Sequence, residues 1–332
     1  MQLSNEELKT KIDELKAKLS VTVVAHFYQR DEVFEVGDIT GDSLELAMKT
    51  KADDAEFVLF CGVGFMGQSV KVLSPNKRVV MPKVACCAMA SMISGLQYDD
   101  AVKTLNENGI TSENILPITY INSDAEVKAK VGEMGGMVCT SSNAKTIITK
   151  ALEEGKKILF VPDRCLGQNI ANEMGLKSMV IGQEGNLQEC DILCYDGFCS
   201  VHQLFTLEDI EFYRKKFPGI LIATHPECDP AICDASDFVG STSQLIKYIQ
   251  ELPEEQKVAV GTEFNLVNRL RPKNTYVLSS TKPECPTMNE TTLQDVYETL
   301  KAIDDGAPIN EIEVDEKTQK WAKIALERML AL

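Results

Sequence analysis

The strongest constraint on this chain is one α/β pattern that recurs three times. Continuously apolar runs of strand length alternate with stretches of helix length. In the first unit the strand runs are Val21–Ala25, Phe57–Cys61 and Arg78–Met81, with helical stretches at Ser43–Thr50 and Met66–Leu73. The second has strand runs at Ile115–Ile121, Gly136–Thr140 and Lys157–Pro162, with helices at Asp124–Val131 and Asn143–Glu154. The third has strand runs at Gly219–Thr224, Phe238–Gly240, Lys257–Gly261 and Thr275–Leu278, with helices at Ser243–Leu252 and Glu263–Leu270. Strands apolar on both faces and separated by helices require parallel sheets covered on both sides. The expected fold class is three similar α/β domains related by a pseudo-threefold axis around a central site. The expected divisions are 1–105 (with an N-terminal helix), 106–205, 206–300 and a C-terminal helical segment 301–332. In that last segment Trp321, Ile324, Ala325 and Met329 form an ordinary packing stripe over Glu313–Leu332.

Each unit repeats a chemical rhythm as well. A polar side chain ends the first strand: His26, Tyr120 or His225. A small hydroxyl residue opens a later helix: Ser43, Ser141 or Ser241. A cysteine closes the unit: Cys87, Cys199 or Cys285. Side chains at the end of a buried parallel strand face the rim of the sheet, where α/β folds bind ligands. A threefold arrangement brings all nine residues to one place.

Composition narrows the chemistry. The 332 residues carry a formal net charge of −16, which argues against a broad basic surface for nucleic acid or anionic membrane. A small anionic substrate needs only local donors. No apolar stretch is long enough to span a membrane, and the start Gln2-Leu3-Ser4-Asn5-Glu6 reads as a capped helix rather than an export signal, so a cytoplasmic location is expected. Eleven cysteines there do not make a disulfide framework, and no C-x-x-C pair supports a zinc ribbon.

Three constellations carry chemistry. Thiolates at Cys87, Cys199 and Cys285 can hold a cubane cluster and leave one iron open as a Lewis acid. Cys86 is an alternative to Cys87 that spacing does not exclude. Gly41-Asp42-Ser43, Cys139-Thr140-Ser141-Ser142-Asn143 and Gly240-Ser241-Thr242-Ser243 place hydroxyl residues before helices, where backbone N–H groups bind carboxylate or phosphate. His26, Tyr28, His202, His225 and Glu227 form an acid–base set, with Glu227 the best candidate general base.

Taken together, the motifs resemble the quinolinate synthase (NadA) family. The matching runs include Ala25-His26-Phe27-Tyr28-Gln29, Cys87-Ala88-Met89-Ala90, Tyr120-Ile121-Asn122-Ser123, Gly197-Phe198-Cys199-Ser200-Val201-His202, His225-Pro226-Glu227-Cys228, Gly261-Thr262-Glu263 and Cys285-Pro286-Thr287-Met288. They are collinear over about residues 20 to 295. The resemblance implies one 4Fe–4S cluster on Cys87, Cys199 and Cys285, favouring Cys87 over Cys86. It implies condensation of iminoaspartate with dihydroxyacetone phosphate to quinolinate, with loss of phosphate and water, in NAD biosynthesis. L-aspartate oxidase or aspartate dehydrogenase is the implied functional partner. His26, Tyr28, His202, His225 and Glu227 would serve as acid–base and orienting groups. Ser43, Tyr120, Asn122, Ser141, Ser241 and Thr242 would hold carboxylates or phosphate. Three places depart from the family pattern: Met66-Gly67-Gln68, Arg164-Cys165 and Asn289. The alternatives are a 4Fe–4S hydro-lyase for another small carboxylate, a non-catalytic iron–sulfur sensor and a zinc enzyme.

Overall fold

The computed structural model describes residues 3–332. Its strands form three parallel sheets. The first comprises β1 (Val21–His26), β2 (Ile39–Gly41), β3 (Phe57–Cys61) and β4 (Arg78–Val80), in the order β2-β1-β3-β4. The second comprises β5 (Ile115–Tyr120), β6 (Met137–Cys139), β7 (Lys157–Val161), β8 (Ser178–Val180) and β9 (Ile192–Cys194), in the order β6-β5-β7-β9-β8. The third comprises β10 (Leu221–Thr224), β11 (Phe238–Val239), β12 (Val258–Gly261) and β13 (Thr275–Val277), in the order β11-β10-β12-β13.

All three sheets therefore share one plan. The chain leaves the first strand for a neighbour on one side, then crosses to a neighbour on the other. The carboxyl end of that first strand is a topological switch point, where a crevice opens between diverging connections. His26 ends β1, Tyr120 ends β5 and His225 follows β10.

The burial of β1 and β3 explains why the sheets are covered on both faces. Val21, Val23, Ala25, Leu59 and Cys61 pack into one cluster with the helices Asn5–Lys18 and Leu293–Asp304. Val24, Val58 and Phe60 point the other way, into a cluster with the helices Ser43–Ala52 and Gly64–Leu73. Alternate residues of a strand face opposite sides, so both sets must be apolar.

Several elements go beyond the sequence reading. Strands β2, β8 and β9 were not anticipated, nor were the helices Gly95–Glu107, Arg164–Met174 and Leu207–Lys216. The helix Leu293–Asp304 spans residue 300 and packs on the first sheet, against the helix Asn5–Lys18. The last helix, Glu316–Leu330, packs on the helix Ala125–Glu133 of the second unit. Its buried stripe is Ala322, Ala325, Leu326 and Met329, whereas Trp321 and Ile324 are only half-buried. Small residues face the partner because the two helices approach closely. Among the described residues no helix is long and apolar enough to cross a membrane.

Candidate active site

The three switch points open onto one cavity. Cys87, Cys199 and Cys285 line it, together with His26, Tyr28, Ser43, Tyr120, Asn122, Ser141, His202, His225, Glu227 and Thr242. Of the anticipated substrate-contacting residues, Ser241 stands outside. Its hydroxyl accepts from the Gln244 N–H as the N-cap of the helix Thr242–Glu251, and it faces a neighbouring groove that also touches Ser141. Ser43 is likewise not the cap of its own helix. Asp42 holds that position, accepting from the Leu44 and Glu45 N–H groups at 3.1 and 3.0 Å, which leaves the Ser43 hydroxyl free at the cavity wall. In the second unit Asn143 precedes the helix Ala144–Glu153, and its amide oxygen accepts from the Thr140 N–H at 2.7 Å. Ser141 therefore sits in the turn before the helix rather than at its first residue. Among the described residues no lysine or arginine lines the cavity, so an anion there meets hydroxyls, amides and backbone N–H groups.

The polar side chains form a continuous chain of contacts across the units. Thr242 Oγ1 lies 3.0 Å from the Tyr28 hydroxyl, which lies 3.0 Å from Thr262 Oγ1. Thr262 Oγ1 is 3.1 Å from His202 Nε2. His202 Nδ1 lies 3.0 Å from Glu227 Oε2, out of line for a hydrogen bond, and Tyr120 donates to Glu227 Oε1 at 2.7 Å. His225 stacks on His202 with ring centres 4.7 Å apart, and its Nδ1 accepts from the Glu227 N–H at 3.3 Å. His26 Nδ1 accepts from the Tyr28 N–H at 3.1 Å.

Burial sets the charge states. It pushes His26 and His225 down to about 4, so both are neutral at pH 7. Burial also pushes Glu227 up, but His202, His225 and the Tyr120 hydroxyl outweigh it and hold the carboxyl at about 2. The hydroxyls of Tyr28 and Tyr120 are raised well above the ordinary tyrosine range, by burial and then by Glu227. The site thus joins an ionised Glu227 carboxylate and the neutral imidazoles of His26 and His225 to hydroxyls that keep their protons.

The three cysteines share the cavity, and Cys86 does not. Cys86 is exposed, with its sulfur 2.8 Å from the Ser91 hydroxyl. Burial pushes the Cys87 thiol up to about 12 and raises Cys199 and Cys285 too, so they become thiolates only when a cation compensates. A single tetrahedral ion holds its sulfurs within about 4 Å of one another. Among the described residues, the only three such ligand atoms all within 4.8 Å of one another belong to Cys199, His202 and Glu227. The cysteine trio is more widely spread, which suits a larger polynuclear group.

Sequence reasoning missed Thr262, Glu263 and Lys128. Thr262 and Glu263 lie in a motif that was recognised only as a family match. Glu263 accepts from the N–H groups of Asn265, Leu266 and Cys285 and so ties a helix start to the cysteine loop. Lys128 is fully buried; its ammonium donates to the carbonyls of Ile121 and Ser123 and supports the loop bearing Asn122. Nothing in a run reading Val127-Lys128-Ala129 signals a buried lysine. The three departures from the family pattern have local partners. Gln68 Oε1 accepts from the Ala125 N–H at 2.8 Å, at the start of the helix Ala125–Glu133. Arg164 pairs with Asp196 while Cys165 is buried, and Asn289 accepts from the Asn265 amide.

A family profile described as Quinolinate synthetase A protein (NadA) matches residues 10–331. The quinolinate synthase of Helicobacter pylori strain HPAG1 is 53% identical over 335 residues, covering 99% of both chains. That of a second Helicobacter pylori strain is 52% identical over the same span. The quinolinate synthase of Streptomyces coelicolor is 40% identical, covering 99% of this chain and 89% of its own.

Proposed function

The chain belongs to the quinolinate synthase family, and on that premise we propose that it condenses iminoaspartate with dihydroxyacetone phosphate to quinolinate, with loss of phosphate and water, in NAD biosynthesis. The observation that carries the reading is the convergence of His26, Tyr28, Tyr120, His202, His225 and Glu227 with three cysteines on one cavity.

Both substrates are anions. Ser43, Asn122, Ser141 and Thr242 offer hydroxyl and amide donors for their carboxylate and phosphate groups, and Tyr120 adds a phenol. Condensation and ring closure move protons between imine, enamine, ketone and enol forms. Glu227, ionised at neutral pH, and neutral His26 and His225 accept such protons; Tyr28 and Tyr120 supply them. His202, held through Nε2 by the Thr262 hydroxyl, faces that carboxylate with its Nδ1 3.0 Å from Glu227 Oε2.

Cys87, Cys199 and Cys285 are the residues that would hold a 4Fe–4S cluster; their common cavity, their wide spacing and the cation they need as thiolates support this. When bound, the cluster supplies an open iron, a Lewis acid for a substrate oxygen. We place the enzyme in the cytoplasm, with L-aspartate oxidase or aspartate dehydrogenase supplying iminoaspartate.

The test is anaerobic turnover of reconstituted protein with dihydroxyacetone phosphate and freshly generated iminoaspartate. Iron-dependent quinolinate is expected. Cluster-loaded protein that makes none would move the function to another dehydration or to sensing. Changing Cys87, Cys199 or Cys285 to Ala should remove the bound iron, whereas Cys86→Ala should keep it. Iron retained in any of the first three would refute the ligand assignment.

A further inference from the structure

Beside the cysteine trio lies a second donor set with a different chemistry. Cys199, His202 and Glu227 bring one ligand atom each to within 4.8 Å of the other two. His202 and Glu227 are buried and Cys199 is half-buried. The far end of each polar side chain is already engaged: Tyr120 holds Glu227 Oε1 and Thr262 meets His202 Nε2. The near atoms, Glu227 Oε2 and His202 Nδ1, are therefore turned to one point. They are 3.0 Å apart, yet Nδ1, on a residue only 1% exposed, has no hydrogen-bond partner. Two atoms that far apart subtend roughly 90–100° at an ion about 2.0–2.1 Å from each, an angle that metal coordination accepts.

We propose that Cys199, His202 and Glu227 form a mononuclear site for a zinc-like divalent cation in the cluster-free protein, and that this ion and the cluster exclude one another. One carboxylate, one imidazole and one thiolate make a three-ligand set of the kind zinc takes, with the fourth position open to the cavity. Binding releases the Cys199 thiol proton to solvent. The ring proton of His202 stays on Nε2 and is donated to Thr262, whose hydroxyl can accept as readily as donate. The engaged far atoms are the outer partners that orient metal-bound imidazole and carboxylate. Exclusion follows because Cys199 cannot serve both centres; this clause alone rests on the reading of Cys199 as a cluster ligand.

The experiment titrates full-length, metal-free protein with Co²⁺ under anaerobic conditions and follows the sulfur-to-cobalt charge-transfer band. One cobalt per chain is expected, displaced by Zn²⁺. Cys199→Ser should lose the band, whereas Cys87→Ser and Cys285→Ser should keep it. Thr262→Val, which leaves all three ligands in place, should weaken binding about tenfold. A band that survives Cys199→Ser, one that needs Cys87, or no band at all overturns the site. His202→Gln provides an independent check if Cys199→Ser does not fold: cobalt binding of unchanged affinity there also overturns it. Zinc-loaded protein should take up no iron on reconstitution until the zinc is chelated; full iron uptake with zinc retained overturns the exclusion. None of these readouts requires turnover, so they stand apart from the test of the enzymatic reading.

Discussion

At the residue scale, the site depends on groups whose positions are set by one another. Thr262 is the clearest case, because its hydroxyl alone connects Tyr28 to His202. A threonine hydroxyl donates one hydrogen bond and accepts others, so it fits between a phenol and an imidazole nitrogen. Thr262→Val keeps the shape and removes the link. Steady-state kinetics should show kcat reduced about tenfold, the equivalent of one buried hydrogen bond, with KM unchanged. Thr262→Ser should restore it; a purely structural role would change the melting temperature instead. His26 gives a pH prediction. Its folded pKa of about 4 lies below its ordinary 6.5, so between these values the unfolded chain binds more protons. The stability held by neutral His26 is complete above pH 6.5 and falls as pH drops toward 4, by an amount of order 3 kcal/mol. Urea denaturation of the metal-free chain across that window should show a steeper loss than in His26→Gln.

At the element scale, local apolar runs made most strands visible beforehand, even the two-residue β11, but not all of them. The run of Phe57–Cys61 is apolar throughout and was legible as a buried strand. Strand β9 has only three residues, and it becomes a strand by pairing with β7 on one side and β8 on the other. Such pairing depends on residues far along the chain and leaves no local period. The C-terminal helix is similar: its existence was legible, but its buried face was set by its partner. At Gly132, a Cβ would clash with the Trp321 carbonyl oxygen, and Arg328 donates to the Gly132 and Gly136 carbonyls. In an isolated helix Gly→Ala stabilises by about 1 kcal/mol. Here Gly132→Ala should instead destabilise by about 1–3 kcal/mol, because backbone must move. Thermal unfolding checks the sign.

At the scale of the whole molecule, the cavity exists only because the units are locked together. Ser243 donates to Asp42 across the first and third units at 2.7 Å, and the Asn265 amide reaches the Tyr28 carbonyl at 3.1 Å. Arg269 does most at this seam. Its guanidinium donates to the carbonyls of Phe27 and Gln29, pairs with Asp31 at 2.8 Å and lies over the Phe34 ring. Lysine offers neither the planar fork nor the stacking face. Arg269→Lys should cost about 1–3 kcal/mol and speed amide exchange over residues 27–34, next to Tyr28. Exchange rates unchanged there would remove Arg269 as the clasp.

The sequence alone determined the α/β class, the threefold recurrence, the strand-end histidines and tyrosine, and the three spaced cysteines. These features are local: a covered parallel strand must be apolar, and a chemical group at its end must be polar. Only the tertiary structure decided that Thr262 joins two units' side chains and that Lys128 is buried beneath a site loop. It also decided which two atoms of Glu227 and His202 remain free. Which side chains meet between units, and which are buried there, is chosen by the packing of whole units, and no local pattern records that choice.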